Sequence, residues 1–313
     1  MNRPVIAVVG SINADDSIRL ARLPGPGETV DARSRTTSLG GKGANQAVAA
    51  ARAGARVCMV GAVGHDGAEL VRALAAEGID TQDVVRVDEQ SSGHAVVLVD
   101  DHGENSIVVL AGTNLAIPTR IVEEACGRLG PGDVLLVQHE IPVAISRAAA
   151  RTARAAGATV FWNAAPAPVD VEDLVTDIDL LVVNEHELAA VAALLDIPPH
   201  TVDMVTAVSE RMAADVVCTL GAAGATYRVD GSTGSAPARR ADVVDTTAAG
   251  DTFIGYLAAT TGDPFADRLA TALTAGSLTV TRPGAAESIP TRSEIDAARA
   301  RHPHTETNER TTT

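Results

Sequence analysis

The chain has 313 residues, of which 46% are hydrophobic and only 2% aromatic, so it can bury a large core made mainly of Ala, Val and Leu. Its formal net charge of −15 argues against nucleic acid or a membrane surface as partner. No apolar stretch approaches the roughly 20 residues that span a bilayer. The three cysteines are scattered and typical of reduced core residues, so the sequence predicts a cytoplasmic location.

Short apolar runs alternate with helical patterns along most of the chain. The runs predicted to be strands are residues 5–10, 55–64, 133–138, 158–163, 178–184 and 214–221. The segments predicted to be helices are residues 43–54, 68–78, 119–130, 144–157, 185–195 and 201–213. This alternation predicts an α/β fold with a mostly parallel central sheet flanked by helices, in which ligands bind beyond the carboxyl ends of the strands.

Two segments interrupt the alternation, residues 14–38 and 93–111, because neither has a helical pattern. The second is predicted to be a β-hairpin that turns at residues 101–103. Together they are expected to form a small β-sheet, which is either a lid over a site or a satellite sheet with no such role. The main domain is placed at residues 1–301, and the polar tail at 302–313 is predicted to be disordered.

Polar and glycine-rich clusters follow several predicted strands. Asn13 and Asp15 come just after the first strand, where an amide and a carboxylate suit the hydroxyls of a polyol, although a simple Asx turn uses the same residue types. Gly41 and Lys42 lie in a glycine-rich turn that opens a helix, a place suited to anions or hydroxyls, yet such turns are often only structural. Glu140 follows another strand. No phosphate-binding loop of the GxxxxGK[ST] type occurs.

Two further clusters follow later strands. Asn184 and Glu187 are three residues apart at a strand-to-helix junction, where they suit either Mg²⁺ or an ordinary capping pair. Residues 219–224 follow another strand in a glycine-containing loop that can lie along a phosphate or a ribose. Each cluster alone is explained by caps and turns, but their coincidence at one edge of a sheet is not.

A carboxylate, Asp251, stands where a helix is predicted to begin, after residues 242–244, which are predicted to end a strand. A helix start has unpaired backbone N–H groups and a partial positive charge. Asp251 by itself is therefore explained equally well by the helix dipole or by a functional role. The other clusters favour the functional role.

Taken together, these motifs resemble those of the ribokinase-like (PfkB) carbohydrate kinase family. The matching motifs, in the family's order, are NADD (13–16), PGPGETV (24–30), GGKGANQAVAAARAG (40–54), WNAAPAP (162–168), VNEHE (183–187), TLGAAG (219–224), DTTAAGDTF (245–253) and VTRPGAAESIP (280–290). They cover almost the whole chain. The resemblance implies a ribokinase-like α/β fold with a small β-lid, and a homodimer formed through that lid.

The resemblance also implies a role for each matching residue. The implied catalytic residues are Asp251 as general base, Lys42, and Ala248, Ala249 and Gly250, whose amides form an anion hole. The implied sugar-binding residues are Asn13, Asp15, Gly41, Lys42, Asn45, Glu140 and Asp251. The implied nucleotide-binding residues are Asn184, Thr219, Leu220, Gly221, Ala222, Ala223, Gly224, Gly250 and Leu273. The implied metal sites are Glu187 and Asn184 for Mg²⁺, and Asp245, Thr247, Thr279, Arg282, Gly284 and Ser288 for K⁺.

The implied activity is ATP-dependent phosphorylation of a free pentose, with D-ribose to D-ribose 5-phosphate as the preferred reaction. A carboxylate at Glu140 would repel a sugar phosphate. No Phe, Tyr or Trp precedes Phe161, so the lid and the first site segments lack a platform on which a nucleobase stacks. Deoxyribose, fructose and adenosine stay open as substrates, and so does a catalytically silent sugar-binding regulatory protein on the same fold.

Overall fold

The structure is a computed structural model that describes residues 4–102, 104–301 and 308–310. The strands of the described residues are β1 Val5–Val9, β2 Asn13–Leu20, β3 Ala32–Gly40, β4 Arg56–Gly64, β5 Asp80–Val87, β6 Gly93–Val99, β7 Asn105–Leu110, β8 Val134–Val137, β9 Thr159–Asn163, β10 Leu180–Asn184, β11 Asp215–Thr219, β12 Ala225–Val229, β13 Ser232–Ala236 and β14 Asn308–Arg310. The α-helices are α1 Lys42–Arg52, α2 Ala68–Ala76, α3 Thr119–Cys126, α4 Val143–Ala155, α5 Glu185–Leu194, α6 Met204–Met212, α7 Ala249–Ala259, α8 Phe265–Thr279 and α9 Arg292–Arg301.

The main sheet has the strand order β14-β13-β12-β11-β10-β9-β8-β1-β4-β5 in the described part of the chain. Its central strands, from β11 to β5, pair in parallel, whereas β12, β13 and β14 pair antiparallel at one end. The central strands are continuous apolar runs, as in Val134–Val137, because both faces of the sheet are covered. The predicted α/β fold with a mostly parallel sheet is confirmed.

Two apolar layers cover the two faces of this sheet. Successive side chains of a strand point to opposite faces, so in β1 Ile6 and Val8 join one layer while Ala7 and Val9 join the other. Helices α1, α2, α7 and α8 contribute to the first layer, and α3, α4, α5 and α6 to the second. The six helices predicted from periodicity are all present, and α8 and α9 are additional helices that the sequence analysis did not predict.

Helices α1 and α7 pack very closely, which matters for the site described below. A Cβ atom built on Gly255 of α7 would lie 2.5 Å from Cβ of Ala49 and 2.7 Å from the carbonyl oxygen of Gln46. Real Cβ atoms do not approach so closely, so this crossing requires glycine. The small residues of the core therefore bring the start of α7 directly against α1.

A second, four-stranded sheet is formed by the two segments that interrupt the alternation, in the order β3-β2-β6-β7. Strand β2 pairs parallel with β6, while β3 and β7 pair antiparallel at its two edges. The predicted small sheet and its hairpin, β6 and β7, are thus confirmed. Within this hairpin, residue 103 of the predicted turn lies outside the described residues.

Two predictions differ from the structure. Residues 242–244 form a loop rather than the end of a strand: the N–H groups of Val244 and Asp245 donate to the carbonyl of Val280, beside α8, at 2.7 and 3.2 Å. The apolar Val243 and Val244, which suggested a strand, are exposed. In the tail predicted to be disordered, Asn308–Arg310 pair with β13, and the rest of 302–313 lies outside the described residues.

In the described residues, no helix has the length and apolar character needed to span a bilayer.

Candidate active site

The polar clusters predicted from the sequence lie along one edge of the main sheet. They follow β1, β8, β10 and β11, which run parallel and occupy neighbouring places in the sheet together with β9. The amino-terminal ends of α1 and α7 reach the same region, because a hydrogen bond joins Asn45 of α1 to Asp251 of α7. Parallel strands place their carboxyl ends together, so this edge is where a ligand is expected in such a fold.

Asp251 lies in the first turn of α7 and is buried, with 7% of its surface exposed. Its carboxylate accepts hydrogen bonds from two side-chain amides of α1. Asn45 Nδ2 is 3.1 Å from Oδ2, and Gln46 Nε2 is 3.0 Å from Oδ1. Ala248, which precedes the helix, has a φ of 59°, in the left-handed region. A carboxylate that only complements the helix dipole would have no need of these two donors.

Lys42 and Glu140 carry opposite charges, and their two segments meet near Asp251. Glu140 Oε2 accepts from Ser11 Oγ at 2.6 Å and from the backbone N–H of Lys42, the first residue of α1, at 3.0 Å. The Asp251 carboxylate raises the pKa of Lys42; burial opposes this effect, whereas Glu140 and Glu187 add to it. Lys42 therefore carries a firmly held positive charge among three carboxylates.

Asn13 and Asp15 lie on β2, next to the end of β1. Asn13 Oδ1 accepts from Asn114 Nδ2 at 2.7 Å, and Asn114 Oδ1 accepts from the N–H of Ile12 at 2.9 Å, so Asn114 fixes both the backbone and the amide of this segment. Asp15 faces Gly40 of β3, where a Cβ atom would lie only 1.9 Å from Asp15 Oδ2. A glycine is therefore required there to make room for the carboxylate.

Three side-chain oxygens in this region are buried and lack a donor among the described residues: Asp15 Oδ1, Asn45 Oδ1 and Gln138 Oε1. The first two belong to predicted sugar-binding residues, whereas Gln138 Oε1 lies against Gly10. A buried acceptor without a partner costs roughly 1–3 kcal/mol. Hydroxyl groups of a bound molecule would supply the missing donors. The unpaired acceptors of the site therefore suit the hydroxyl groups of a polyol.

The pKa of Asp15 lies well above the usual value of an aspartate. Burial is the main cause, and the nearby Glu140 carboxylate adds to it, so that the pKa of Asp15 is raised to about 7. The folded protein then holds a proton between about pH 4 and pH 7 that the unfolded chain has released. This group therefore lowers the stability of the fold as the pH rises through that range.

We expect an Asp15→Asn variant to gain stability relative to the parent as the pH rises, because it removes this titration. Between pH 5 and pH 8 the difference in the free energy of unfolding should change by about 2 kcal/mol in favour of the variant. Urea unfolding of both proteins at the two pH values measures this difference.

Glu294 of α9 provides the control, because no histidine is among the groups that shift its pKa. Hydrogen bonds from Arg282 and from the N–H of Thr291 lower that pKa to about 2. Glu294 is therefore mostly ionised in both the folded and the unfolded state throughout this range, and a Glu294→Gln variant should show a stability difference that hardly changes between pH 5 and pH 8. A pH-independent difference for Asp15→Asn as well would contradict the assignment.

A cavity of about 490 Å³ opens between this edge and the small sheet. Its wall includes Asn13, Lys42, Asn114 and Glu140 from the site, and Val109 from β7 of the small sheet. The remaining lining residues are Ala111, Leu115, His139, Ile141, Pro142, Val143, Pro166 and Asp173. Asp251 is not on the wall of this cavity. The cavity therefore coincides with part of the predicted sugar site and not with all of it.

The predicted nucleotide segment lies further along the same edge. Asn184 caps α5 by accepting from the N–H of Glu187 at 2.8 Å, and Glu187 Oε2 accepts in return from the N–H of Asn184 at 2.8 Å. Asn184 and Glu187 thus cap the helix, and this geometry is also compatible with their predicted role as Mg²⁺ ligands. Burial raises the pKa of Glu187, and this effect outweighs the hydrogen bond from the Asn184 N–H and the charge of Lys42, which both lower it. Glu187 therefore interacts electrostatically with Lys42 of the sugar segment.

The loop after β11 is the exposed part of this segment. Residues 221–223 form a single exposed turn. Gly221, which begins this turn, and Gly224, which follows it, have positive φ angles of 55° and 104°. At Gly224 a Cβ atom would lie 2.0 Å from the carbonyl oxygen of Ala236. Leu273, predicted to contact the nucleotide, is 6% exposed and packs in the apolar layer between the sheet and α7 and α8.

The predicted K⁺ segment is organised around Asp245. Its Oδ1 accepts from the N–H and the hydroxyl of Thr247 at 2.9 and 2.6 Å, and its Oδ2 accepts from the N–H of Gly284 at 3.0 Å. Asp245 therefore ties the loop before α7 to the loop before α9. The Arg282 side chain is a cation paired with Glu294, so this residue can offer K⁺ only its backbone carbonyl. The Thr279 hydroxyl donates to the carbonyl of Ala275 at 3.0 Å, and its oxygen keeps its lone pairs.

Among the described residues, no group of three or more His, Cys, Asp and Glu side chains is placed to hold a metal ion. The side chains of this region nevertheless include hard oxygen ligands. Glu187 has one oxygen that is not used in its capping bond, and Asn184 is exposed at its side. These donors fit a hydrated Mg²⁺ that also binds phosphates.

The sequence analysis did not identify several residues of this site. Four of them are amides and one is a serine: Gln46, Asn114, Gln138, Asn163 and Ser11. Gln46 lies inside a quoted motif, whereas Asn114 reaches Asn13 only through the tertiary fold. For Lys42, which the sequence did predict, composition adds a second signal, since it is the single lysine among the 25 Lys and Arg residues of the chain.

Comparisons with known proteins agree with this architecture. A sequence model described as pfkB family carbohydrate kinase matches residues 4–292. Ribokinase of Schizosaccharomyces pombe is 36% identical over 309 residues, which cover 94% of this chain and 97% of that protein.

Solved structures are similar over nearly their whole length. Ribokinase of Arabidopsis thaliana, complexed with ribose and ATP, has a TM-score of 0.82 at 32% identity and covers 95% of this chain and 98% of its own. Ribokinase of Cryptococcus neoformans in complex with ADP has a TM-score of 0.80 at 32% identity, over 94% of this chain and 99% of its own. Because the family match includes every cluster of the site from Asn13 to Ser288, this chain belongs to the pfkB family of carbohydrate kinases.

Proposed function

We propose that this protein transfers the terminal phosphoryl group of ATP to the primary hydroxyl of a free pentose, converting D-ribose to D-ribose 5-phosphate. One observation carries the proposal: Asp251 lies beside two buried acceptors without donors, Asp15 Oδ1 and Asn45 Oδ1, and beside the cation of Lys42. Hydroxyl groups satisfy such acceptors, and a carboxylate within reach of a hydroxyl can take its proton. The similarity to proteins named ribokinase supports the same substrate.

The proposed sugar contacts come from three segments. They are Asn13 and Asp15 of β2, Gly41, Lys42 and Asn45 around the start of α1, and Glu140 after β8. Glu140 is held in place by Ser11 and by the Lys42 N–H, so its carboxylate cannot easily turn away from an incoming ligand. Above about pH 7, where Asp15 is ionised, the two carboxylates together make the sugar pocket acidic. A sugar that already carries a phosphate would be repelled there, which favours a free sugar.

The proposal also favours a sugar over a nucleoside. The cavity wall contains no Phe, Tyr or Trp among the described residues. Nucleobases bind best on an aromatic face, which is worth about 1–3 kcal/mol for each stacked base. Adenosine would therefore have little to stack on in this cavity.

In the proposed mechanism, Asp251 accepts the proton of the primary hydroxyl as that oxygen attacks the phosphorus. Charge that develops on the phosphoryl oxygens is stabilised by the backbone N–H groups of Ala248, Ala249 and Gly250 at the start of α7, and by Lys42. Base and anion hole share one helix start because both must face the reacting group. The nucleotide would lie along Asn184 and residues 219–224, with Leu273 on its far side.

Two cations are part of the proposal. Glu187 and Asn184 would hold Mg²⁺ through water, and this ion neutralises charge on the phosphates when it is bound. A K⁺ ion would be held by Asp245, Thr247, Thr279, Arg282, Gly284 and Ser288, in part through backbone carbonyls. Asp245 fits this role because it joins the loop before α7 to the loop at Gly284. A K⁺ ion there would keep the anion hole in place.

We further propose a homodimer formed through the small sheet, which would also act as a lid. Strand β7 is an edge strand and exposes four successive apolar residues, 107–110, each by 54–58%. Such an edge is stabilised by a second copy of itself. Light scattering at assay concentrations tests the proposed homodimer, and a monomer would contradict it.

The cytoplasmic location stays a prediction, to be tested by cell fractionation.

A single assay tests the proposed reaction. ADP release by the purified chain is measured with ribose, 2-deoxyribose, fructose, fructose 6-phosphate and adenosine, each with and without K⁺. We expect the highest kcat/KM with ribose and a higher rate with K⁺. Faster turnover of adenosine or fructose 6-phosphate would overturn the substrate assignment. If no substrate stimulates ADP release although ribose binds in calorimetry, the protein is the silent sugar-binding alternative.

A further inference from the structure

Gln46 is a buried amide that contacts the proposed base without lining the cavity. It has 0% of its surface exposed and lies one residue after Asn45 on α1. Its Nε2 donates to Asp251 Oδ1 at 3.0 Å and to Asn163 Oδ1 at 3.2 Å. Its Oε1 accepts from Gln138 Nε2 at 2.7 Å. Every polar atom of this side chain is therefore engaged.

The direction of these hydrogen bonds is set by a backbone group. Asn163 Nδ2 is 3.0 Å from the carbonyl oxygen of Val182, which can only accept a hydrogen bond. Asn163 must therefore turn its oxygen toward Gln46, and Gln46 must turn its NH₂ group toward Asn163 and Asp251. Rotating the Gln46 amide by 180° would set its oxygen against two acceptor oxygens at once.

The result is a rigid connection between the sheet and the carboxylate of α7. Strand β10 orients Asn163, Asn163 orients Gln46, and Gln46 donates to one oxygen of Asp251. Asn45 donates to the other oxygen. Hydrogen bonds to an ionised partner are about twice as strong as neutral ones, so the two amides hold the carboxylate plane in one orientation.

We propose that Gln46 is a positioning residue for phosphoryl transfer, which acts by holding Asp251 toward the sugar hydroxyl. This inference rests on the proposed function. Gln46 is fully buried and its amide is fully engaged with other protein groups, so it should affect the chemical step much more than the affinity for the sugar. A residue that only fills space would instead change stability, or kcat and KM together.

The test is a double-mutant cycle of Gln46→Met and Asp251→Asn on the full-length chain. Methionine has a similar volume but no amide donor. We expect Gln46→Met to lower kcat about tenfold to a hundredfold, the usual range for one hydrogen bond to a charged group, with the Kd for ribose changed by less than about threefold. In the Asp251→Asn background the same change should lower kcat by less than about twofold, because the group it positions is already gone.

Ser209→Ala provides a control for the loss of a buried hydrogen bond. Ser209 is buried on α6, on the opposite face of the sheet, and donates to the carbonyl of Ala214 at 2.7 Å. The Ser209→Ala variant should be less stable than the parent, with kcat unchanged. Thermal unfolding verifies that all variants are folded.

The outcomes separate the inference from the proposed function. If the parent phosphorylates ribose and Asp251→Asn is impaired, but Gln46→Met is folded and keeps its kcat, only the positioning role fails. Equal losses from Gln46→Met in both backgrounds also overturn the positioning role, since Gln46 would then act independently of Asp251. If Asp251→Asn itself keeps a normal kcat, the assignment of the base fails first.

Discussion

An Asp251→Asn variant should bind ribose with a Kd within about threefold of the parent, but turn it over at least about a hundredfold more slowly. Asparagine keeps the shape of the side chain, so its oxygen can still accept from one of the two amides of α1. It cannot take up the proton of the attacking hydroxyl. The effect should therefore appear in kcat, measured by ADP release, and not in the binding constant, measured by calorimetry.

The control for this variant is an acidic residue at a helix start outside the site. Glu69 lies in the first turn of α2 and is exposed, and its ion pair with Arg72 is on the surface. A Glu69→Gln variant should keep its activity within about twofold, since exposed ion pairs contribute little. Near-normal turnover by Asp251→Asn would show that this carboxylate serves only the helix, and the proposed mechanism would have to be abandoned.

Replacing Lys42 by Met should lower kcat/KM by about a hundredfold or more, the magnitude typical of losing one preorganised charge at a reacting group. Lys42 is the cation beside Asp251, Glu140 and Glu187. Without it, three carboxylates face an incoming polyphosphate and the ammonium group that lies among them is lost. Steady-state kinetics with ribose and ATP varied in turn show which substrate loses more binding.

A Lys42→Arg variant separates charge from shape. Elsewhere in this chain every Lys or Arg position is arginine, so the lysine at 42 is an exception that calls for a physical reason. An ammonium is a compact point charge, whereas a guanidinium is a broad planar fork that needs more room. The first turn of α1 packs tightly against the residues that follow β1, since a Cβ on Gly43 would lie 2.6 Å from the N atom of Ser11. We expect Arg to recover less than about a tenth of the parent activity; full recovery would show that only the charge matters.

Much of the architecture was accessible from local patterns. The alternation of apolar runs and helical periodicity predicted the parallel sheet, because continuous apolar strands are stable only when both faces are covered. The hairpin around residue 102 was predicted from two β-rich runs separated by a polar turn. The prediction that the apolar residues 243–244 end a strand was wrong, because hydrophobicity alone does not show whether a neighbouring strand is available for pairing. Helices α8 and α9 went unpredicted.

The amino-acid sequence by itself determined which chemical groups this protein carries: a carboxylate at a helix start, one lysine in a glycine-rich turn, and acidic and amide residues after successive strands. These follow from local rules of helix starts, turns and strand ends, which act over a few residues. Only the tertiary structure decided how the groups face one another. Asn163 and Asp251 lie 117 and 205 positions from Gln46 along the chain, and the Gln46 amide still donates to both. Such contacts depend on the strand order and on the close approach of α1 and α7 at Gly255, and both are set by the packing of the whole core.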